Sequence, residues 1–186
     1  VRSGHLEGVV VASTRLDDPL IARLNQDRVP FVMVGRHPNE RVNYVDIDNV
    51  AGARMAVEHL IRLGHRRIAT ITGPLNMTSG ADRLKGYQRA LEAYRLPVEE
   101  ALIVEGDFTE ASGTAAARCL LPLSVTAIFV ASDVMAIGAL KGIREAGLRV
   151  PHDVALVGFD DVPLATAVQP SLTTIRQPIE RLGSLA

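Results

Sequence analysis

The sequence contains a single cysteine, no tryptophan and almost no net charge, and these shortages exclude several classes of protein. One cysteine, Cys119, excludes an intramolecular disulfide and a zinc site built from several cysteines. It lies in the segment AAARCL, which predicts a buried helix position and argues against a nucleophile. Because the formal net charge is -1, the chain offers no basic surface for nucleic acid.

Long apolar segments are also missing, which bears on membranes and on export. No apolar run approaches the roughly 18 residues of a membrane-spanning helix, so we expect no membrane partner. Arg2 and His5 precede only a short apolar run that continues as a strand pattern. We therefore expect no signal peptide and a cytoplasmic location.

The chain lacks the short motifs of common enzyme classes. It has no G-x-S-x-G nucleophile elbow, no phosphate-binding G-x-x-x-x-G-K, no G-x-G-x-x-G and no H-E-x-x-H. The histidines are scattered, and none follows a predicted strand with a nucleophile beside it; they are His5, His37, His59, His65 and His152. We therefore predict neither an enzyme nor a bound metal or cofactor.

What the chain does contain is a repeated alternation of short apolar runs and amphipathic segments. Unbroken runs such as 127–130 are typical of strands covered on both faces in a parallel sheet. The predicted fold is therefore α/β with doubly wound parallel sheets. Strands are expected at 6–13, 31–34, 68–72, 102–104, 127–130, 154–157 and 172–175, and helices at 80–94, at 110–121 and after caps at Asp18, Asp48 and Asp133.

Several distinctive residues stand near predicted strand ends, where open α/β sheets bind their ligands. Asp160 follows a strand directly, although Asp160 or Asp161 alternatively caps the next helix. Phe108 follows another strand; it either packs in the core or stacks on a flat or pyranose ring in a crevice. Arg83 is predicted in the first turn of its helix, where a cation opposes the helix dipole. A crevice partner and a simple surface position both remain open for it.

One basic cluster, His65-Arg66-Arg67, has a structural explanation. It follows Gly64, which is predicted to end a helix. Cations at the carboxyl end of a helix offset its dipole, so we favour this interpretation over a contact with nucleic acid.

Longer segments resemble a known family across nearly the whole chain. They are, in order, EHLIRLGHRRIATITGP, ADRLKGY, IVEGDFTEASG, AIFVASDVMAIGALKGIREAGLRVP, DVALVGFDD and PSLTTIRQP. In this order and at consistent spacing, they resemble the effector-binding core of the lactose-repressor-type (LacI/GalR) family of bacterial transcription regulators. The resemblance implies a two-lobed, type I periplasmic-binding-protein-like fold with an effector bound between the lobes.

The resemblance also implies roles for individual residues. Arg83 in ADRLKGY matches an effector-binding arginine, and Phe108 in GDF matches an aromatic residue that stacks on the ligand. Asp160 in GFDD matches a carboxylate that bonds ligand hydroxyls or a ring nitrogen. Ser132 stands where the family often has an asparagine, and its shorter side chain reaches less far. The remaining positions that touch ligand in some members or face the same cleft are Met77, Ser79, Ser13 and Arg36.

By the same resemblance, the chain divides into three parts. Residues 1–45 correspond to part of an amino-terminal lobe, 46–170 to a carboxyl-terminal lobe, and 171–186 to a crossing back to the first lobe. The family's helix-turn-helix, its hinge helix and the first units of the amino-terminal lobe have no counterpart in this sequence. We therefore expect an incomplete amino-terminal lobe.

The implied function is a ligand-responsive transcriptional regulator whose effector is sugar-like or purine-like. We expect a homodimer, with Val134, Ile137 and Leu140 of one helix in its face. Operator DNA would be bound only through the absent helix-turn-helix. The alternatives are a periplasmic sugar-binding protein of an ABC transporter, which needs an export signal, and an enzyme on the same kind of sheet.

Overall fold

The computed structural model describes residues 7–12, 15–37 and 42–186, in which strands and helices alternate. The strands are β1 (Val9–Ala12), β2 (Phe31–Val34), β3 (Tyr44–Val45), β4 (Ile68–Thr72), β5 (Ile103–Glu105), β6 (Ala127–Val130), β7 (Ala155–Asp160) and β8 (Thr173–Arg176). The helices are α1 (Pro19–Gln26), α2 (Asn49–Arg62), α3 (Thr78–Ala93), α4 (Glu110–Leu120), α5 (Asp133–Glu145), α6 (Leu164–Ala167) and α7 (Ile179–Leu185). Of the helices in this described part, none combines the length and apolar character that a membrane crossing requires.

The chain groups into two compact units. The first comprises Val1–Ile47, Asn76–Thr78 and Pro178–Ala186, and the second comprises Asp48–Leu75 and Ser79–Gln177. The lobe boundaries derived from the sequence stay a prediction.

The first unit is built on a three-stranded parallel sheet in the order β1-β2-β3. Helix α1 connects β1 to β2, and it begins where Asp18 accepts a hydrogen bond from the backbone N–H of Leu20 at 2.8 Å. Pro19 at the first helical position has no N–H to leave unpaired. A small core holds this unit together; its members are Val11, Ile21, Leu24, Met33 and Val42.

The second unit is built on a five-stranded parallel sheet in the order β5-β4-β6-β7-β8. Its strand order reverses between β4 and β6, because β5 lies on one side of β4 and the later strands lie on the other. Such a switch point leaves a crevice beyond the carboxyl ends of the two strands. Strands β4 and β6 are buried along their whole length, as expected where both faces are covered.

Helices α4 and α5 cover one face of this sheet and share a hydrophobic core with β4, β6 and β7. Two glycines allow their backbones to touch. A Cβ on Gly113 would overlap the carbonyl oxygen of Met135. A Cβ on Gly138 would overlap that of Glu110. Any larger residue at either glycine would therefore push the two helices apart.

Helices α2 and α3 cover the opposite face. Tyr87 of α3 is buried and donates its hydroxyl to the carbonyl oxygen of Ile68 in β4 at 2.8 Å. Burial raises the pKa of the Tyr87 phenol. A Cβ on Gly86 would lie 2.7 Å from the Cβ of Ala53, so α2 and α3 also pack closely. With helices on both faces of a parallel sheet, the predicted α/β class is confirmed.

Most predicted helix ends are confirmed. Asp48 caps α2 and Thr109 caps α4, each through a side-chain oxygen that accepts from a backbone N–H. Gly64 follows α2 with a φ of +97°. Arg66 Nη1 donates to the carbonyl oxygen of Ile61 at 2.9 Å, which accounts for this member of the basic cluster as a helix-end contact.

Two predicted helix starts are wrong. Ser132, not Asp133, caps α5: the Ser132 side chain accepts from the N–H of Met135 at 3.3 Å, and Asp133 is the first helical residue. Helix α3 begins at Thr78, two residues before the predicted start. Arg83 therefore lies in the second turn, where the opposing helix dipole is weak.

The predicted burial of Cys119 and the predicted place of Leu140 in a face between subunits are also wrong. Cys119 is exposed, because Ala117 and Leu120 take the buried side of α4. Leu140 is buried within this chain, so it is not available for a face between subunits, whereas Val134 is exposed.

Candidate functional site

The carboxyl edge of the five-stranded sheet collects most of the residues that the sequence singles out. Asp160 ends β7, Phe108 follows β5, and Ala131 and Gln177 come directly after β6 and β8. Parallel strands place all their carboxyl ends at one edge of the sheet. The switch point between β4 and β6 lies within this row, so the edge is the candidate binding site.

Arg83 is 5% exposed and reaches this edge from α3. Its Nε donates to Asn49 Oδ1 at 2.9 Å, and its Nη1 donates to the carbonyl oxygen of Ala131 at 2.5 Å. Nη1 also lies 3.3 Å from Asp160 Oδ1, which completes an ion pair. Residues from α2, β7 and the segment after β6 thus fix one guanidinium group.

The same guanidinium lies over an aromatic ring. Arg83 Cζ is 3.8 Å from the centroid of the Phe159 ring, a cation–π geometry. Gly52 of α2 leaves room for this ring, since a Cβ there would lie 2.9 Å from two ring carbons. The positive charge of Arg83 is therefore already offset by a carboxylate and an aromatic face.

Asp160 is only partly exposed, and its Oδ1 accepts from both Arg83 and the Gln177 side-chain amide. Burial raises the pKa of the Asp160 carboxyl, while Arg83 and Gln177 oppose the rise. The backbone φ is +118° at Asp160 and +61° at Asp161, a region that residues other than glycine rarely adopt. Because α6 starts only at Leu164, with Pro163 at its cap, the alternative that either aspartate caps a helix is excluded.

The turn after Asp160 is tied to a second carboxylate, that of Asp133, which is fully buried. Asp133 Oδ2 accepts from the backbone N–H of Val162 at 3.0 Å, and its Oδ1 accepts from Thr174 Oγ1 at 2.6 Å. Gly158 provides the space, since a Cβ there would overlap Asp133 Oδ1. Burial raises the pKa of Asp133, and the hydrogen bonds from Thr174 and Val162 oppose that rise.

Phe108 is half-buried, with a left-handed backbone at φ +67°. One side of it packs against the core beneath α4 and α5, and its ring lies against Gly73 beyond β4. The loop around it is held by Asp107, whose Oδ1 accepts from the backbone N–H of Thr109 at 3.0 Å. The core packing that the sequence left open for Phe108 is therefore present, and stacking of its ring on a ligand stays a prediction.

Two serines stand beside these groups. Ser132 is buried and uses its side-chain oxygen to cap α5, where it accepts from a backbone N–H. Ser79 lies four residues before Arg83 on α3, and residues at that spacing share a helix face.

Two of the other predicted site residues are not in the second unit. Arg36 and Met77 belong to the first unit. There the backbone N–H of Arg36 donates to Asp46 Oδ2 at 3.1 Å, and its carbonyl oxygen accepts from Thr78 Oγ1 at 2.7 Å. Ser13 lies outside the described residues.

Sequence reasoning missed two residues that hold the ion pair. Asn49 stands next to the cap residue Asp48, and the capping pattern hides its role as an acceptor for Arg83. Gln177 directly follows β8, so the strand-end rule that singles out Asp160 also points to it.

The arrangement suits the binding of a polar ring. A paired carboxylate and guanidinium, an amide and an aromatic side chain orient such a ligand through hydrogen bonds and stacking. Within the described ranges, histidine, cysteine, aspartate and glutamate side chains form no group of three able to hold a metal ion.

Comparisons with known proteins identify a domain family and several relatives of this chain. The model of the periplasmic binding protein-like domain family matches residues 57–186. The HTH-type transcriptional regulator CelR of Thermobifida fusca is 48% identical over 96% of this chain and 54% of its own length. The HTH-type transcriptional repressor PurR of Escherichia coli is 41% identical over 98% of this chain and 55% of its own. The chain thus spans about half the length of these curated relatives.

Solved structures agree with the sequence relatives. The complex of the regulator CelR with cellobiose has a TM-score of 0.94 and 47% identity, covering 97% of this chain and 57% of that one. A LacI family transcriptional regulator from Mycobacterium smegmatis has a TM-score of 0.92 and 36% identity, covering 100% of this chain and 69% of that one. The chain belongs to the LacI family of transcriptional regulators, and it contains that family's periplasmic binding protein-like domain.

Proposed function

We propose that the chain is the effector-binding core of a cytoplasmic, ligand-responsive transcriptional regulator and has no catalytic activity. Operator DNA is bound by a helix-turn-helix domain outside this chain. The two sequence relatives named above are both HTH-type regulators of transcription, which favours this function over a periplasmic sugar-binding protein of a transporter.

The proposed effector is a neutral, hydroxyl-rich sugar. The observation that carries this proposal is the Arg83–Asp160 ion pair at the carboxyl edge of the sheet. Because the guanidinium is already paired with Asp160 and stacked on Phe159, a phosphorylated ligand finds less uncompensated positive charge there. A sugar hydroxyl can instead donate to the Asp160 carboxylate, and the half-buried ring of Phe108 provides a stacking face. The cellobiose complex of CelR supports the choice of a sugar.

Regulation then follows from linkage between two binding events. An effector changes operator affinity only if it binds the DNA-competent and DNA-incompetent forms with unequal affinity. Ser132 and Ser79 complete the proposed set of effector contacts in the second unit, together with Arg83, Phe108 and Asp160. The roles that the family resemblance implies for Met77, Arg36 and Ser13 stay predictions.

We also propose a homodimer. Val134 of α5 and Leu164 of α6 are exposed apolar residues on two helices that contact each other, which supports a surface for self-association. Sedimentation velocity of the full-length protein tests this: Val134→Asp should shift a dimer towards monomer, and an unchanged dimer would contradict this location.

Isothermal titration of the full-length protein with cellobiose tests the effector site. Asp160→Asn should weaken binding about tenfold, because a hydrogen bond to a charged acceptor is stronger than one to a neutral amide. Asp161→Asn is the matched control, since Asp161 pairs with the exposed Arg176 instead. Equal affinity for both variants and the unmodified protein would reject the site, and tighter binding of a phosphorylated disaccharide would reject the neutral ligand.

A further inference from the structure

Gly73 lies directly beyond β4, at the switch point of the sheet, and is buried against the ring of Phe108. A Cβ at position 73 would lie 2.5 Å from Cε1 and 2.9 Å from Cε2 of that ring, and nearer still to Cζ. Since carbon atoms in contact stay about 3.5–4.0 Å apart, the ring must move by about 1 Å or more to admit a methyl group. The position of the Phe108 ring therefore depends on residue 73 being a glycine, which has no Cβ.

The loop that carries Phe108 is fixed on both sides of the ring. Asp107 accepts from the N–H and the hydroxyl of Thr109, and its own N–H donates to Ser112 Oγ at 3.2 Å. A Cβ on Gly106 would lie 2.6 Å from the sulfur of Met135, so the chain before the ring is confined as well. With its backbone held, the ring can yield to a methyl group at position 73 only by rotating out of place.

Gly73 needs no special backbone conformation. Positive φ values among the described glycines occur at Gly35, Gly64 and Gly147, and not at Gly73. An alanine at position 73 therefore meets the Phe108 ring and brings no backbone strain of its own. The residue type at 73 is thus set by the neighbouring ring.

We propose that Gly73 is a positioning residue for effector recognition. Because glycine has no Cβ, the Phe108 ring can pack directly on the backbone at residue 73, in the orientation in which it stacks on the ligand. This inference rests on the proposed binding of a sugar at the carboxyl edge of the second unit. Gly73 itself contacts the ring rather than the effector.

A double-mutant cycle in the full-length protein tests the proposal, with cellobiose as the probe in isothermal titration. Gly73→Ala should weaken binding about tenfold, the scale of one lost ring contact, and Phe108→Ala should weaken it at least as much. In the Phe108→Ala background, adding Gly73→Ala should change affinity by less than about twofold. Gly183→Ala, an exposed helical position with open space around it, controls for the added methyl group and should leave affinity unchanged.

The outcomes separate the two proposals. If Phe108→Ala weakens binding and Gly73→Ala does not, or if Gly73→Ala weakens it equally in both backgrounds, the role of Gly73 is overturned while the effector site stands. If neither Asp160→Asn nor Phe108→Ala affects binding, the proposed effector site fails and the role of Gly73 fails with it. A cycle on thermal unfolding without ligand gives a second measurement: Gly73→Ala should lower the melting temperature only when the Phe108 ring is present.

Discussion

The two units are built from the same kinds of strand, yet they bury those strands differently. In the first unit, β1 has the sequence VVVA and leaves Val10 59% exposed. In the second unit, β6 has the similar sequence AIFV and is buried at every position. The second sheet has helices on both faces, α2 and α3 on one and α4 and α5 on the other. The covering layers therefore decide how deeply an apolar strand is buried.

This difference decides what a given residue type contributes. When a buried side chain is truncated, its neighbours lose their packing contacts. When a buried polar group loses its hydrogen-bond partner, no water is present to replace that partner. The same substitution should therefore have different effects at two sites that differ in burial or hydrogen bonding.

Phenylalanine is present in the central strand of each sheet, Phe129 in β6 and Phe31 in β2. Phe129 is fully buried, so Phe129→Ala should cost about 3–5 kcal/mol of unfolding free energy. Phe31 is only partly buried, and Phe31→Ala should cost about 1–2 kcal/mol. Denaturant unfolding followed by circular dichroism measures both values, and hydrogen exchange assigns each to its sheet. Equal costs would show that the two sheets are equally well covered.

Arginine ion pairs sharpen the contrast between the interior and the surface of the second unit. The Arg118–Glu145 pair is short, at 2.6 Å, but the Arg118 side chain is 62% exposed. The Arg83–Asp160 pair is longer, at 3.3 Å, but is largely buried. Arg83→Met should cost about 2–3 kcal/mol, because it removes the positive charge that pairs with the largely buried Asp160 and the N–H that donates to the carbonyl oxygen of Ala131. Arg118→Met should cost less than about 1 kcal/mol. The reverse order would mean that distance, rather than burial, ranks these pairs.

Local sequence patterns predict much of this fold. Strands 68–72 and 127–130 match β4 and β6 residue for residue, because the first is rich in β-branched residues and ended by glycine, and the second is an apolar run ended by small residues. The end of β7 does not match: the predicted strand stops at residue 157, yet pairing with β8 extends the strand to Asp160. That pairing partner is distant in the sequence, so no local pattern reveals it.

In the candidate site, too, the sequence identifies individual residues but not the contacts between residues that are distant in the chain. Strand-end position singles out Asp160, and the family resemblance singles out both Asp160 and Arg83. These two residues are 77 positions apart, and periodicity says nothing of their contact. Asn49 is 34 residues from Arg83 and is equally hidden. The predicted cap of α5, Asp133, lies one residue after the observed cap, Ser132. Serine and aspartate are both good capping residues, and the sequence alone does not show which of the two has the backbone geometry of a cap.

Threonine hydroxyls test the cost of burial without a partner. Among the described residues, the Thr70 hydroxyl of β4 is buried and has no hydrogen-bond partner. Thr70→Val should therefore stabilise the fold by about 1 kcal/mol, since it removes a desolvated polar group and keeps the shape. Thr114→Val should instead cost about 1 kcal/mol, because the Thr114 hydroxyl donates its one hydrogen to a carbonyl oxygen, with those of Glu110 and Gly138 both within reach. A destabilising Thr70→Val, measured by denaturant unfolding, would indicate a partner for that hydroxyl.

The smallest expected effects on stability come from two aspartates, Asp133 and Asp153. Their contributions to stability should change with pH in opposite directions. Burial raises the pKa of Asp133 above its ordinary 3.8, so the folded state keeps its proton to a higher pH than the unfolded chain. Relative to Asp133→Asn, the unmodified protein should lose stability as pH rises from about 4 through this raised pKa, and then level off. The asparagine can still accept from Val162 through its oxygen and donate to Thr174 through its nitrogen, so the hydrogen bonds are preserved.

Asp153 provides the opposite case on the surface of the same unit. Hydrogen bonds from Arg149 lower the pKa of Asp153, so its ionised form stabilises the folded state. The unmodified protein should exceed Asp153→Asn in stability above about pH 4, and this advantage should vanish as pH falls through the lowered pKa. Unfolding curves for both variants between about pH 3 and pH 7 measure the two slopes. Slopes of the same sign would mean that the charge of Asp133 is as well compensated in the interior as that of Asp153 is at the surface.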